Sequence, residues 1–420
     1  MFDDDAALAA IRPKVKANSL IQKEAGLKLT EFALVVATRK KALKPLLWLI
    51  ETAQSDRVNV AEIAEKSGLG RTPLMTAIRF GNEEATRALL PVSDAKAVDQ
   101  EGVSALIMAA ERGRDAMVLD LLPESDPLAA GKDGKTALMH CAVRGNFDAV
   151  KLLLPMSDAK AVDCNGMSAI VLAAATGSGW AIDCVRILLP KSDPDAIQAA
   201  FMTAAGKGHT AIVELLLPLC DPKKPDFDGD TALILAAGHE DDNLLTLLLP
   251  LSDAKAANKR GETALMAAAQ EGLDQSVRRL LPLSDALAQN NDGDSALMRA
   301  ASGGREKNVE ALLPHSDASQ RNKEGRTAFD EAEMTKMTAP RSVMLDLLAE
   351  TAPRERAEAI FAVLGAEAMP RWAAKLEAED LSATVAGPTL EDGGRNEGDE
   401  SVAAGKTAQN SRRLPTRARL

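Results

Sequence analysis

Apolar and polar positions follow a fixed frame along this chain, and residues 261–292 show one full period. Thr263, just after Gly261, stands as an N-cap for a helix whose Leu265, Met266, Ala268 and Ala269 give a short, close-packing face. Gly272 tolerates a positive φ and marks the end of that helix. Val277, Leu280 and Leu281 follow at i, i+3 and i+4, the stripe of a second helix. Pro282 cannot continue the hydrogen-bond ladder and marks its stop. A polar stretch with an Asn291-Asp292-Gly293 turn then leads into the next period.

The frame repeats. Leu-Leu-Pro closes on Pro91, Pro123, Pro155, Pro190, Pro218, Pro250, Pro282 and Pro314, at intervals of 32, 32, 35, 28, 32, 32 and 32 residues. Thr or Ser followed by Ala (once Pro) and an apolar pair begins at Thr72, Ser104, Thr136, Ser168, Thr231, Thr263, Ser295 and Thr327. A degenerate copy fits at Ala199. The 35/28 pair is an insertion, Gly177-Ser178-Gly179-Trp180, compensated by a loop shortened by four residues before the fifth unit. No unit of this size can bury its stripe alone, so neighbours must stack into one continuous core. The expected fold is all-α: a helix-turn-helix solenoid of about nine repeats with helical caps and very little strand.

These motifs resemble the ankyrin repeat. The Thr-Pro-Leu-His slot of that family reads Thr72-Pro73-Leu74-Met75 here, and Thr136-Ala137-Leu138-Met139 or similar elsewhere. The Ala-Ala-x-x-Gly that follows appears at Ala109–Gly113 and Ala268–Gly272, and the resemblance covers roughly residues 30–350. Three departures stand out. Met replaces His, which removes a polar tie to the neighbouring loop. Leu-Leu-Pro-x-Ser-Asp-Ala replaces the usual ending, and the loop is one residue short. Because Asp126 and Asp193 precede prolines, Ser-Asp is expected to cap a short helical turn.

Expected boundaries are residues 1–66 for an N-terminal helical cap with an eroded repeat, 67–350 for the array, 351–381 for a C-terminal cap and 382–420 for a disordered tail. The eroded repeat places its second helix at Leu46-Leu47-Trp48-Leu49, and the ninth unit is broken by Met334–Pro340. Helices are expected at Ser342–Glu350, Arg354–Leu364 and Pro370–Leu381. The tail loses apolar periodicity, and its last twenty residues carry five basic residues and no acid.

Composition sharpens this picture. Three Trp, eight Phe and no Tyr argue against aromatic-rich β folds and against single-stranded nucleic-acid binding on stacking platforms. A net charge of −11 removes a chain-wide phosphate-binding footprint. Cys141, Cys164, Cys184 and Cys220 form no CxxC pair, so a reducing compartment is expected. No basic-then-apolar signal pattern opens the chain, and no stretch of about 18 apolar residues is present.

Candidate chemistry fails on spacing. Gly134-Lys135-Thr136 would need Gly at 129 to make a phosphate loop, and Ala129 is there. Asp226–Asp230 lacks the run to glycine and the final Glu of a calcium loop. His140 and Cys141 are adjacent on a helix, so they diverge, and Cys141 fills a core slot held elsewhere by Ala. His209 and His239 follow first-helix ends, where polar residues cap carbonyls, and His315 is in a loop. No catalytic residue, cofactor site or metal site is expected.

The resemblance implies a concave face lined by loop tips and first-helix ends. Mapped onto this sequence, the candidate partner-binding residues are Arg79, Phe80, Glu111, Arg112, Lys132, Arg144, Phe227, Asp228, His239, Lys259 and Arg260, with Trp180 presented by the insertion. Arg71, Arg79, Arg112, Lys132, Lys135 and Arg144 make the first three units basic. Asp226, Asp228, Asp230, Glu240, Asp241 and Asp242 make the sixth acidic. A groove of that polarity would steer a charged partner segment. Trp180 is expected either as an exposed anchor or packed beneath a lengthened turn. The function expected is a non-catalytic protein-binding scaffold or adaptor, monomeric and cytoplasmic, with a protein partner and neither membrane nor nucleic acid. The alternatives are an effector secreted into a host cell without a cleavable signal peptide, or an inhibitor or regulator of a partner enzyme.

Overall fold

The computed structural model describes residues 43–55, 70–177, 179–239, 242–334, 346–349 and 369–385, with helical positions at 9, 354, 357, 358 and 361. The remainder of both expected caps, residues 335–345 of the ninth unit and the tail after Val385 lie outside the described residues.

The first helices of successive units are α2 (Pro73–Arg79), α4 (Ala105–Arg112), α6 (Ala137–Val143), α8 (Ala169–Thr176), α10 (Pro194–Gly206), α12 (Ala232–Ala237), α14 (Ala264–Glu271), α16 (Ala296–Ser302) and α18 (Ala328–Met334). The second helices are α3 (Glu83–Leu89), α5 (Asp115–Leu121), α7 (Phe147–Leu153), α9 (Gly179–Leu188), α11 (Thr210–Leu216), α13 (Asp242–Leu248), α15 (Asp274–Leu280) and α17 (Glu306–Leu312). Before them, α1 (Leu43–Ser55) packs on α3. In the second compact unit of the chain, residues 371–420, the helix α19 (Pro370–Val385) includes residues 382–385.

Most of these helices have seven residues, too few to persist alone in water, so packing must hold them. First helices pack on the next unit's first helix and second helices on the next second helix. The slot of Leu74, Leu106, Leu138, Ile170, Leu233, Leu265 and Leu297 is fully buried, and Phe201 and Phe329 take it in units five and nine. Paired alanines such as Ala109-Ala110 and Ala268-Ala269 are buried as well and let neighbouring first helices approach closely. The buried Met75, Met139, Met266 and Met298 turn the slot after Leu into apolar packing.

The N-caps form as the pattern predicts: Thr263 Oγ1 accepts the Met266 N–H, and Thr72, Ser104, Thr136, Thr231 and Ser295 do the same in their units. The endings differ from expectation. The Leu-Leu-Pro proline does not stop the chain's winding but enters a 3-10 turn, as at Leu90–Val92 and Leu122–Glu124. The Asp of Ser-Asp then caps a tight turn rather than a helix: Asp94 Oδ1 accepts the Lys96 N–H and Asp126 Oδ1 the Leu128 N–H, each at 2.9 Å. Only at Asp193, where Pro194 opens α10, does a helix follow. Among the described residues the strand content between units is a single bridge in each of five hairpins, as at Val98–Ser104.

The insertion lengthens a helix. Gly177 closes α8 at φ +61°, and α9 begins at Gly179 and runs ten residues. In compensation α10 runs thirteen residues, because the shortened loop is wound into its first turns.

Candidate functional site

Six of the seven described hairpin tips open on an Asx residue; in the other Gly131 takes that slot and Asp133 Oδ1 accepts the Lys135 N–H. Asp99 Oδ1 accepts the N–H groups of Glu101 and Val103, and Asp163, Asp226, Asn258, Asn290 and Asn322 accept the corresponding pair in their tips. Three residues after each of these a glycine takes positive φ, for example Gly166 at +75°. Neighbouring tips are joined by backbone bonds: Lys132 N–H to Glu101 O at 2.9 Å, Cys164 to Asp133 at 3.0 Å, Lys259 to Asp228 at 3.1 Å, Asn291 to Arg260 and Lys323 to Asp292 at 2.8 Å. The tips therefore hold the expected groove residues on a hydrogen-bonded frame.

The residues expected at the site fall into three groups. Glu111, Arg112 and Lys132 line one hollow of about 300 Å³ together with Arg71, Met108, Asp133 and His140. Glu111 and His140 continue into a second hollow with Val143 and Arg144. Upstream, the Arg79 guanidinium lies 5.7 Å from the centre of the Phe80 ring, which is 39% exposed. Farther along, Phe227, 88% exposed, carries the Lys259 ammonium 4.5 Å above its ring, and Lys259 Nζ also donates to Phe227 O. Asp228 is exposed beside it, and Arg260 pairs with Glu262 at 3.1 Å. Trp180 stands apart at the start of α9, 68% exposed, which decides between its two readings: it is not packed beneath a turn.

Two of the expected contact residues also tie one unit to the next. Arg144 Nε donates to Glu111 O at 2.5 Å, and His239 Nε2 meets Gly206 O at 2.6 Å. His209 on Ala175 O and Arg305 on Gln270 O make the same tie. Each covers a carbonyl near the end of the preceding first helix.

The expected charge gradient is largely spent inside the fold. Arg71 pairs with the buried Asp99 at 3.3 Å and Lys135 with Asp133 at 3.5 Å. Glu111 and Asp133 share the hollow of Arg112 and Lys132, so that hollow is mixed rather than basic. In unit six, Asp226 is a turn cap, the buried Asp230 accepts from Asn258, and Asp242 pairs with Arg279 at 2.8 Å. Glu240 and Asp241 lie outside the described residues.

His140 was not among the expected contacts. It sits one turn after its N-cap, in a slot that faces the groove, held by Met108 in the preceding unit and Arg299 in unit eight. Burial holds its imidazole below the ordinary pKa, against the opposing pull of Glu111 and Asp133. The same slot is closed in unit eight, where Arg299 reaches Glu262 at 2.5 Å and Gln270 Oε1 at 3.1 Å. The N-cap signal fixes the register of this slot, so its residues could have been found by counting four positions on from the cap. The neighbouring Cys141 is fully buried, its thiol pushed up to about 12 by that burial, and it acts as core.

No described helix is long and apolar enough to cross a membrane. No curated protein matches the chain. Among protein families, ankyrin repeats (three copies) match residues 34–130, 117–199 and 201–286. That family is usually non-catalytic, and no catalytic domain is identified beside it. Paired short helices stacked unit on unit, tips joined by their backbones and this match agree: the chain belongs to the ankyrin-repeat family.

Proposed function

We propose that this chain is a non-catalytic scaffold or adaptor that binds a protein partner along the face formed by its tips and first-helix ends. The observation that carries this reading is the fate of its few aromatic side chains. In a chain with no Tyr, Phe80 and Phe227 project from that frame and Trp180 projects from α9, while Phe201 and Phe329 fill the core. Large exposed aromatic groups on a rigid frame are the commonest anchors of protein interfaces. A cytoplasmic setting fits four free cysteines, of which Cys141 and Cys184 are buried with thiols raised by that burial to about 12 and about 11.

Crosslinking mass spectrometry on native cells tests the reading. The expected result is one recurring partner protein whose crosslinks fall on lysines of the tips and groove, Lys132, Lys207 and Lys259. Crosslinks confined to second-helix lysines such as Lys151 would contradict it.

A further inference from the structure

Among the described residues the ladder of tips is interrupted once. One run extends from the Asp99 tip to the Gly166 tip, and a second from the Asp226 tip to the Gly325 tip. Unit five has no tip, because its loop became the first turns of α10. The α8, α10 and α12 helices still pack in succession, so the tips of units four and six stand two helix spacings apart, about 16–20 Å. Among the described residues, the Asn165 carbonyl on one side and the Phe227 N–H on the other make no backbone hydrogen bond, though their equivalents in joined tips do. A Cβ on Gly134 would lie 2.9 Å from the Cys164 nitrogen, whereas one on Gly166 would meet nothing within 4 Å.

A hollow of about 480 Å³ lies against the second run; Ala199, Met202 and Leu235 give its apolar lining, Phe227 and Asp226 border it, and Lys207 and Lys224, the latter paired with Asp195 at 3.2 Å, line it too. Asp226 uses only Oδ1 to cap its own tip; among the described residues Oδ2 makes no hydrogen bond. At three of the six described junctions the residue after one tip's glycine pairs with the residue that opens the next. Arg71 precedes and pairs with Asp99, whereas Lys135 pairs with Asp133 of its own tip and, among the described residues, the buried Asp163 Oδ2 makes no hydrogen bond. Asp230 and Asp294 precede and pair with Asn258 and Asn322, and the apolar Val103 precedes Gly131. The gap is bounded by Met167, which is apolar, and Asp226, which is acidic. Those are the surroundings of the tip from Gly131 to Lys135, which lies between Val103 and Asp163.

We propose that this gap is a docking site for a tight turn of the partner protein, of the form Gly-x-x-Gly-Lys or Gly-x-x-Gly-Arg, which takes the place of the missing tip. Its backbone accepts from the Phe227 N–H and donates to the Asn165 carbonyl, and its cation meets Asp226 Oδ2. Side chains flanking the turn cover Met202 and Leu235. The proposal rests on the scaffold reading above and narrows it to one position and one ligand chemistry.

The probe is a cyclic peptide carrying Ala129–Thr136 of this chain, titrated into the full-length protein with hydrogen exchange read at Phe227. Binding that slows exchange of the Phe227 amide is expected. Asp226→Asn keeps the turn cap, since Asn holds that slot in the next three tips, and should weaken the peptide about tenfold. A peptide with Lys135→Glu should weaken by a similar factor. No binding, or binding indifferent to Asp226→Asn with an unprotected Phe227 amide, would overturn the proposal. Native crosslinks that still map to the tips would then leave the scaffold reading standing, whereas their loss would remove both.

Discussion

The two runs of tips solve the same problem with different chemistry. In the first, the buried carboxylate of Asp99 is met by Arg71 from the unit before it, while Asp163 Oδ2 makes no hydrogen bond among the described residues. In the second, the preceding residue is itself acidic and the buried group is an amide: Asn258 Nδ2 donates to Asp230 at 2.7 Å and Asn322 Nδ2 to Asp294 at 2.9 Å. In both runs the Asx oxygen that faces its own turn does identical work, so either residue could build a tip. The choice between Asp and Asn is set by the neighbour. At Asp99, Asn258 and Asn322 adjacent units are matched in pairs, whereas the buried Asn290 Nδ2, preceded by Glu262, makes no hydrogen bond among the described residues; part of the chain's acidity is consumed between units rather than displayed.

The comparison breaks most visibly at Asn258. Asn258→Asp places a second carboxylate against the buried Asp230 and should cost about 3 kcal/mol at pH 7 in urea unfolding. The two carboxylates would then share a proton, raising a folded-state pKa above its unfolded value. Folding would take up that proton as pH falls, so the deficit should shrink toward pH 5. A deficit independent of pH would mean that Asp230 and Asn258 are not coupled.

Gly134 and Gly166 separate a joined tip from an open one. Both have positive φ, +77° and +75°, so alanine is strained at either, by about 1–2 kcal/mol. At Gly134 the added carbon also meets the backbone of the next tip, and the loss should reach about 3 kcal/mol. Equal losses would contradict the interruption of the ladder. Smaller still, Asp99→Asn keeps the turn cap but takes the charge from Arg71, and about 1 kcal/mol should be lost in the same assay.

The smallest effect concerns His140. Its folded pKa lies below the ordinary 6.5, so the unfolded chain binds its proton more readily. Stability should fall as pH drops through 6.5 toward the folded value, and His140→Gln should flatten that slope slightly. An NMR titration midpoint at or above 6.5 would refute the assignment.

What was legible in the sequence is what is local. Thr263 and Gly272 bound their helix because a cap and a left-handed residue act within one turn of chain. Leu265 and Phe201 were assignable to the core because periodicity alone selects the buried face. The roles of Arg144 and His239 were not legible as ties, since each reaches a carbonyl more than 30 residues away, set by stacking rather than by neighbours. The gap in the ladder was half legible. The 35/28 intervals located it, and Asp193-Pro194 announced the helix start, but only packing shows that a tip was lost and that Phe227 borders the space.

Site-specific photocrosslinking in native cells locates the partner on the protein's surface. A photoreactive amino acid would replace Phe227, Arg112 or Lys132 in turn, with Lys151 and Glu214 on exposed second-helix positions as controls. Binding along the tips predicts the same partner protein captured from Phe227 and from at least one of Arg112 and Lys132, and nothing recurrent from the controls. Capture from Lys151 or Glu214 with silence at the tips would contradict it.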